Sequence, residues 1–393
     1  MIIIKTKETD KGGIDLLHFI FFIWFLMDFV FKTNVCEAIG ANRNQIDSIQ
    51  NILTLALLFF YCIYGIEYSY EELGIILSVG ALLSISGIRS HSYVLVSALL
   101  FMVIIKKVDI SEIIRIVHRL LLWLVPITMA LSLCGVIDGG NTRRLLGSKL
   151  LRTRYGLGFT HPNTMAWCIF ELLCCNFYLH RKRLRFIDYF ITIAMIPFLY
   201  MVPNSLSAVV GTAVLMILML MYQLIESRWE SARAFFSKCL IIVGLVANFY
   251  SVFFTINSVS KYSFSKILDK FASYRLFYTN KSYSMYGITV WGQQIILKFA
   301  WERGYSETYL DNSFATLLLR YGVLCYVLYT IASFFVFEYL KKKDFALLIC
   351  FFTFYFMGVM NSSVLSVGTN VFVLCFSYAI YWKYNSQRKA NSQ

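Results

Sequence analysis

Two stretches of this chain concentrate side chains able to grip an anion. Between about Asp138 and Pro162 stand Arg143, Arg144, Lys149, Arg152 and Arg154 against a single acid, Asp138. Between about Asn257 and Asp311 stand Lys261, Lys266, Lys270, Arg275, Lys281, Lys298 and Arg303, with Asp269, Glu302, Glu307 and Asp311 as the acids. Arginine offers a planar fork of N–H donors that matches phosphate oxygens, so the chemistry such residues serve is recognition of a phosphate-bearing substrate. The competing reading is that long cationic side chains at helix ends extend toward headgroups; it accounts for most of the lysines and part of the arginines.

These stretches are joined by apolar runs. The hydrophobic share is 59% and the charged share 15%, with a mean hydropathy of +0.65, which excludes an ordinary soluble domain. Runs at 14–31, 52–66, 74–88, 93–105, 113–137, 164–179, 186–202, 206–225, 240–256, 314–337, 345–360 and 364–382 predict about twelve transmembrane helices, since roughly 20 apolar residues cross a bilayer. The expected fold is all-α and polytopic, one membrane domain over 1–393. The first run is longer than a signal-peptide core and reads as an uncleaved span.

Lys5, Lys7 and Lys11 put the N-terminus inside. Lys106–Lys107, the basic string from His180 to Arg185, the segment from Arg228 to Lys238, Lys341–Lys343 and the tail from Lys383 to Lys389 then also fall inside, making both termini cytoplasmic. That register leaves 138–162 and 257–311 as large outer loops, basic against the usual bias. In the second, Ile267, Leu268, Phe271, Tyr274 and Phe277 recur at helical spacing and predict an amphipathic segment along the membrane surface, with Trp291 and Trp301 at headgroup depth. The ten cysteines lie mostly in apolar runs and read as packing residues. There is no CxxC pair, no His/Cys metal spacing, no GxGxxG and no P-loop, so neither a metal nor a cofactor is expected.

The string Arg152-Thr-Arg-Tyr-Gly-Leu-Gly-Phe-Thr-His-Pro-Asn163, placed just before a span, resembles the first signature of the Wzy-type polysaccharide polymerases, in the superfamily shared with O-antigen ligases. Phe271-Ala-Ser-Tyr-Arg275-Leu is similar to the arginine-bearing start of that family's large loop. Its end is matched by the stretch from Arg303 to Gly322, with Asp311-Asn312 opening a helix and a glycine ten residues on from Asn312. One position departs: Asn204-Ser-Leu206-Ser207 has leucine where members often carry an arginine. Either this chain does without that arginine's grip on substrate, or another outer arginine such as Arg89 supplies it.

The resemblance implies a GT-C-like glycosyltransferase in the cytoplasmic membrane. Its substrate would be oligosaccharide repeat units on undecaprenyl pyrophosphate, joined at the outer leaflet by moving the growing chain onto the incoming unit. A flippase and a chain-length regulator are the implied partners, with no nucleic acid. Transfer at the anomeric carbon needs a base at the acceptor hydroxyl and cations on the departing pyrophosphate. Arg152, Arg154 and Arg275 are the candidates for the cations, His161 and Asp311 for the base. His161 is equally a loop-positioning residue and Asp311 equally a helix N-cap. Asn163 and Asn312 are substrate contacts or, more in keeping with their type, caps. Two readings compete with the polymerase. O-antigen ligases tend to carry histidine at the place of Asp311. A secondary transporter would use charges in its spans, and Arg320 is such a charge.

Overall fold

Helices dominate the computed structural model, which describes residues 11–40, 49, 52–56, 68–146, 149–226, 230–271, 274–296, 299–300, 305–306 and 310–381. Among them, five helices are long and apolar enough to cross a membrane: Tyr70–Ser90, Ile110–Leu133, Leu206–Glu226, Glu230–Ile256 and Val323–Lys343. Shorter apolar helices cover Leu16–Phe31, Val94–Ile104, Phe186–Met201, Phe345–Met357 and Val371–Ile380. In coarse outline this is the make-up of an all-α membrane protein. Most of the expected run 52–66, the flanking Lys5, Lys7 and Lys383–Lys389, and Lys298, Trp301, Glu302, Arg303 and Glu307 lie outside the described residues.

The helices start where side chains replace missing backbone acceptors. Asp109 accepts from the Ser111 N–H at 2.9 Å and opens Ile110–Leu133. Asp344 accepts from the Leu347 N–H at 3.0 Å and opens Phe345–Met357. At the head of Tyr70–Ser90, Glu72 N–H donates to Ser69 Oγ at 3.2 Å while Ser69 N–H donates to Glu72 Oε2 at 2.9 Å, a reciprocal capping box.

Two compact units result, one of residues 1–73 with 100–216, the other of 74–99 with 217–393. In the first, Pro162–His180 is an interior helix, with Met165, Ala166, Phe170, Cys174, Cys175 and Phe177 at 0% exposure. The cysteines thus pack as small apolar groups. Trp24 packs against Phe101 at a tilt of 56° with ring centroids 4.3 Å apart, and Phe21 meets the same ring edge-on at 5.7 Å. Lys106, counted with Lys107 in a basic connection, has a buried side chain that pairs with Glu72 at 2.5 Å.

The second unit departs from the expected run boundaries. The run 314–337 is not one span. Ser313–Thr316 continues into a single π-helical turn, Leu317–Tyr321, and the chain breaks at Gly322 before Val323–Lys343 begins. Phe314, Leu317 and Leu319 have no exposed surface, so this half-helix is core. The run 364–382 likewise resolves into 3₁₀ turns at Ser363–Leu365 and Val371–Phe376 and one helical turn, Ser377–Ile380. The unit is pinned by a satisfied polar network: Asn248 donates to Tyr355 Oη at 2.8 Å and accepts from Tyr326 Oη at 3.0 Å.

Within both expected outer loops the chain forms short antiparallel hairpins between the helices. One pairs Thr142–Leu146 with Lys149–Arg154, the other Phe299–Ala300 with Tyr305–Ser306.

Removing one partner of a buried ion pair strands the other. Lys106→Met should therefore destabilise the protein by about 3–5 kcal/mol, and Lys106→Met with Glu72→Leu by much less. Thermal unfolding in detergent tests this; equal losses from the single and double variants would contradict it.

Candidate functional site

In the first unit the Arg152–Asn163 string folds into a loop built on backbone-to-backbone approach. Gly140, at φ +58°, lies so close to the Phe159 carbonyl that an added Cβ would sit 1.7 Å from its oxygen. A Cβ on Gly156 would meet the Gly140 carbonyl oxygen at 2.6 Å. No side chain larger than hydrogen fits there. The turn is held from the segment after the first helix: Asn34 N–H donates to the Gly158 carbonyl at 2.8 Å, and Thr160 N–H to the Lys32 carbonyl at 3.0 Å. Asn34 Nδ2 donates to the Asp138 carbonyl at 3.0 Å. Asn34 was not marked by the sequence, because backbone acceptors leave no residue-type signature.

Two of the candidate residues meet in this loop. Arg154 donates from its guanidinium to Asn163 Oδ1 and from Nε to the Pro203 carbonyl at 2.9 Å. Tyr155 N–H donates to the Val202 carbonyl at 3.1 Å. Arg154 thus reaches the turn just before Leu206, where the expected arginine is missing from the sequence. The backbone register sets Arg152 opposite Arg144 in the hairpin; its side chain lies outside the described structure.

Asn163, expected as a cap or a substrate contact, is not the cap. His161 is: its Nδ1 accepts from the Asn163 N–H at 3.1 Å at the start of Pro162–His180. A neutral ring accepting at Nδ1 carries its proton on Nε2, so in this geometry His161 has its donor on Nε2. Burial, helped by the nearby Arg154 charge, lowers its pKa from 6.5 to about 4.

In the second unit, Arg275 and Asp311 come together. Arg275 Nη2 pairs with Asp311 Oδ2 at 2.7 Å, both side chains nearly inaccessible. The same guanidinium donates to the Met360 carbonyl, and Asp311 Oδ1 accepts weakly from Ser362 N–H at 3.4 Å. The cap reading of Asp311 is corrected. Asn312 caps the half-helix, accepting from the Ala315 N–H at 3.0 Å, while its Nδ2 donates to Ser251 Oγ at 3.1 Å and the Val359 carbonyl at 3.0 Å. Ser313 Oγ donates to the Asn361 carbonyl at 2.6 Å. The turn Gly358–Ser363 is therefore cradled by Arg275, Asp311, Asn312 and Ser313.

What aims Arg275 is Asp269, which the sequence marks only as one of the acids of this loop. Its carboxylate accepts from the N–H groups of Leu276 and Phe277 at 2.8 and 3.1 Å, satisfying the head of Arg275–Tyr286. Burial raises its pKa, the two backbone bonds opposing that rise. The expected amphipathic stretch breaks here into Ser263–Phe271 and Arg275–Tyr286, with Tyr274 at φ +61° between them. On the first piece Ser265 and Asp269 face inward, while Phe264 and Ile267 are 70% and 57% exposed, an apolar outer face suited to an interface. Arg89, the suggested substitute arginine, is exposed in the last turn of Tyr70–Ser90.

No protein-family model, curated protein or solved structure matches this chain.

His161 makes stability pH-dependent. Above pH 6.5 the ring is neutral in both folded and unfolded chains. Between 6.5 and about 4 the unfolded chain takes up a proton that the native ring refuses, so stability falls as pH falls, by up to about 3 kcal/mol. His161→Asn keeps a cap acceptor without the titration. Its apparent Tm in detergent should decline less between pH 7 and pH 4 than that of the unaltered protein, and parallel declines would exclude a buried neutral His161.

Proposed function

We propose that this chain is a membrane glycosyltransferase that polymerises undecaprenyl-pyrophosphate-linked repeat units at the outer leaflet, with about twelve spans and two outer loops. The observation that carries the reading is the Arg275–Asp311 ion pair at 2.7 Å. The two ends of the long loop, which the resemblance assigns to one active region, lie far apart in sequence and meet in the fold. The first string supports the reading independently, since a loop that tolerates only glycine at Gly140 holds Arg154 and His161 in fixed positions.

In this proposal Arg152 and Arg154 contact phosphate or glycan oxygens, Asn163 orients Arg154, and His161 donates from Nε2. Asp311 is the base toward the acceptor hydroxyl, with Arg275 fixing its orientation and Asn312 fixing the start of the half-helix behind it. The pyrophosphate leaves readily once its charge is met, so electrostatic preorganisation is the larger part of the catalytic task. The bilayer delivers the lipid-linked substrate, and a flippase and a chain-length regulator are the partners proposed.

A transporter is the second reading, favoured by charges in and beside apolar helices. Asp28 pairs with Lys32, and Glu171, at 0% exposure, acts electrostatically on the same lysine. Gene deletion separates the two. A polymerase leaves one-unit products and no ladder, a ligase leaves long chains on the lipid carrier, and an unchanged ladder removes both enzymes and favours transport.

Arg275→Lys keeps the charge but not the fork that spans Asp311 and the Met360 carbonyl. Losing about 3 kcal/mol of preorganisation should cut polymerisation roughly a hundredfold at normal membrane expression. Arg275→Ala should also destabilise, because Asp311 is left buried without its partner, whereas Arg275→Met with Asp311→Leu should recover stability without activity. Lys266→Ala and Lys281→Ala, both at exposed positions, should leave the ladder unchanged. Normal ladders from both single Arg275 variants would remove this residue from the mechanism.

A further inference from the structure

The π-turn Leu317–Tyr321 carries one charge, Arg320, in a segment whose other side chains are apolar or aromatic. Leu317, Leu318, Leu319 and Tyr321 are all buried, and Arg320 is partly so. Among the described residues no carboxylate pairs with it, and its Nε is buried without an acceptor. An unpaired guanidinium donor in such surroundings is costly, by more than an ordinary lost hydrogen bond. Isolated π-turns and lone charges in apolar helices are both features that recur at functional sites.

The surroundings are built rather than incidental. The loop from Gly287 to Ile296 is pressed onto the turn: Gln293 N–H donates to the Arg320 carbonyl at 2.9 Å, and Gln293 Nε2 to the Leu319 carbonyl at 3.2 Å. Gly292 at φ +89° and Gly322 at φ +95° permit this approach; a Cβ on Gly292 would meet the Arg320 carbonyl oxygen at 2.6 Å, and one on Gly322 the Gly292 nitrogen at 2.4 Å. The next residue is tied down as well, Tyr321 by Ser86 Oγ at its carbonyl, 2.7 Å, and by Ser92 Oγ at its hydroxyl, 2.7 Å. The backbone on both sides of Arg320 is fixed, while its side-chain Nε has no acceptor among the described residues.

We propose that Arg320 is an anion-binding residue that takes a phosphate or pyrophosphate group carried on a lipid. The pyrophosphate of a polyprenyl-linked substrate and the phosphate of an anionic headgroup share this chemistry. Naming the substrate as the ligand rests on the polymerase reading; the anion site does not. A guanidinium supplies two parallel donors to such a group, and the fixed backbone leaves only the side chain to be ordered on binding.

The test uses the purified full-length protein in detergent, with tryptophan emission as the readout. Trp291 lies in the apposed loop, and a Trp291→Phe protein assigns the signal. Farnesyl pyrophosphate and phosphatidylglycerol, each in mixed micelles, are the two probes, with farnesol as the uncharged control and inorganic pyrophosphate as competitor. Arg320→Gln should weaken the preferred probe at least tenfold and Arg320→Lys several-fold, with inorganic pyrophosphate competing in the unaltered protein. Preference for farnesyl pyrophosphate identifies a substrate subsite, and preference for phosphatidylglycerol a headgroup site; either supports the anion site. Equal binding of farnesol overturns it, as does unchanged affinity in Arg320→Gln or, should that variant fail to fold, in Arg320→Lys. The isotherm is independent of the polymer ladder, so failure of the site and failure of the polymerase reading are told apart.

Discussion

The second unit depends on a charge pair that has left water. Desolvating a guanidinium and a carboxylate costs several kcal/mol each, recovered only when the geometry is good and the remaining donors and acceptors are used. Arg275 and Asp311 meet that condition through each other and through the turn at Met360 and Ser362. Three pieces of chain are thereby fixed at once: the head of Arg275–Tyr286, the start of the half-helix at Asn312, and the turn Gly358–Ser363. Asp269 does the same for the helix carrying Arg275, so one buried carboxylate orients the cation that orients the other.

The first unit solves its loop problem by a different route. There the polar groups are mostly main chain, and they are satisfied by bringing backbone against backbone, which requires glycine at Gly140 and Gly156. Side chains enter only at the edge, where Arg154, Asn163 and His161 share hydrogen bonds. The two strategies have different tolerances. A loop closed by main chain fails on any added Cβ, whereas one closed by an ion pair fails on charge but accepts shape changes around it.

The sequence made the helices legible wherever apolar length alone decided them. Runs such as 74–88, 206–225 and 345–360 reappear as Tyr70–Ser90, Leu206–Glu226 and Phe345–Met357. It misplaced the chain wherever hydropathy was uniform but backbone geometry was not. Nothing in the apolar residues from Phe314 to Phe337 marks a π-turn, because Gly322 is the one breaker and its positive φ is set by contact with Gly292. Similarly, the period of Ile267, Phe271 and Tyr274 carries no sign that Tyr274 turns left-handed. For the site, residue types pointed to Arg154, His161, Arg275, Asp311 and Asn312, and the fold joins them within each unit. The roles of Asp269, Asn34 and the Met360–Ser363 turn stayed hidden because their partners are backbone groups, which no side-chain pattern encodes.

Charge type is therefore a weaker guide than charge environment. Arg275 and Arg320 are the same residue in one unit, and a sequence reading would rank them by nearness to a motif. Their surroundings rank them differently. The first arginine spends its donors on Asp311 and a carbonyl, which makes it a fixed element of the scaffold that positions the carboxylate. The second sits on an immobilised turn with a donor that no described group accepts. A guanidinium paired with a buried carboxylate, as Arg275 is, must give up that charge partner before it can hold a phosphate, and the exchange returns little net free energy. A guanidinium donor without a protein acceptor has no such bond to give up when an anion arrives. Availability for a ligand is thus decided by which hydrogen bonds the fold leaves unmade.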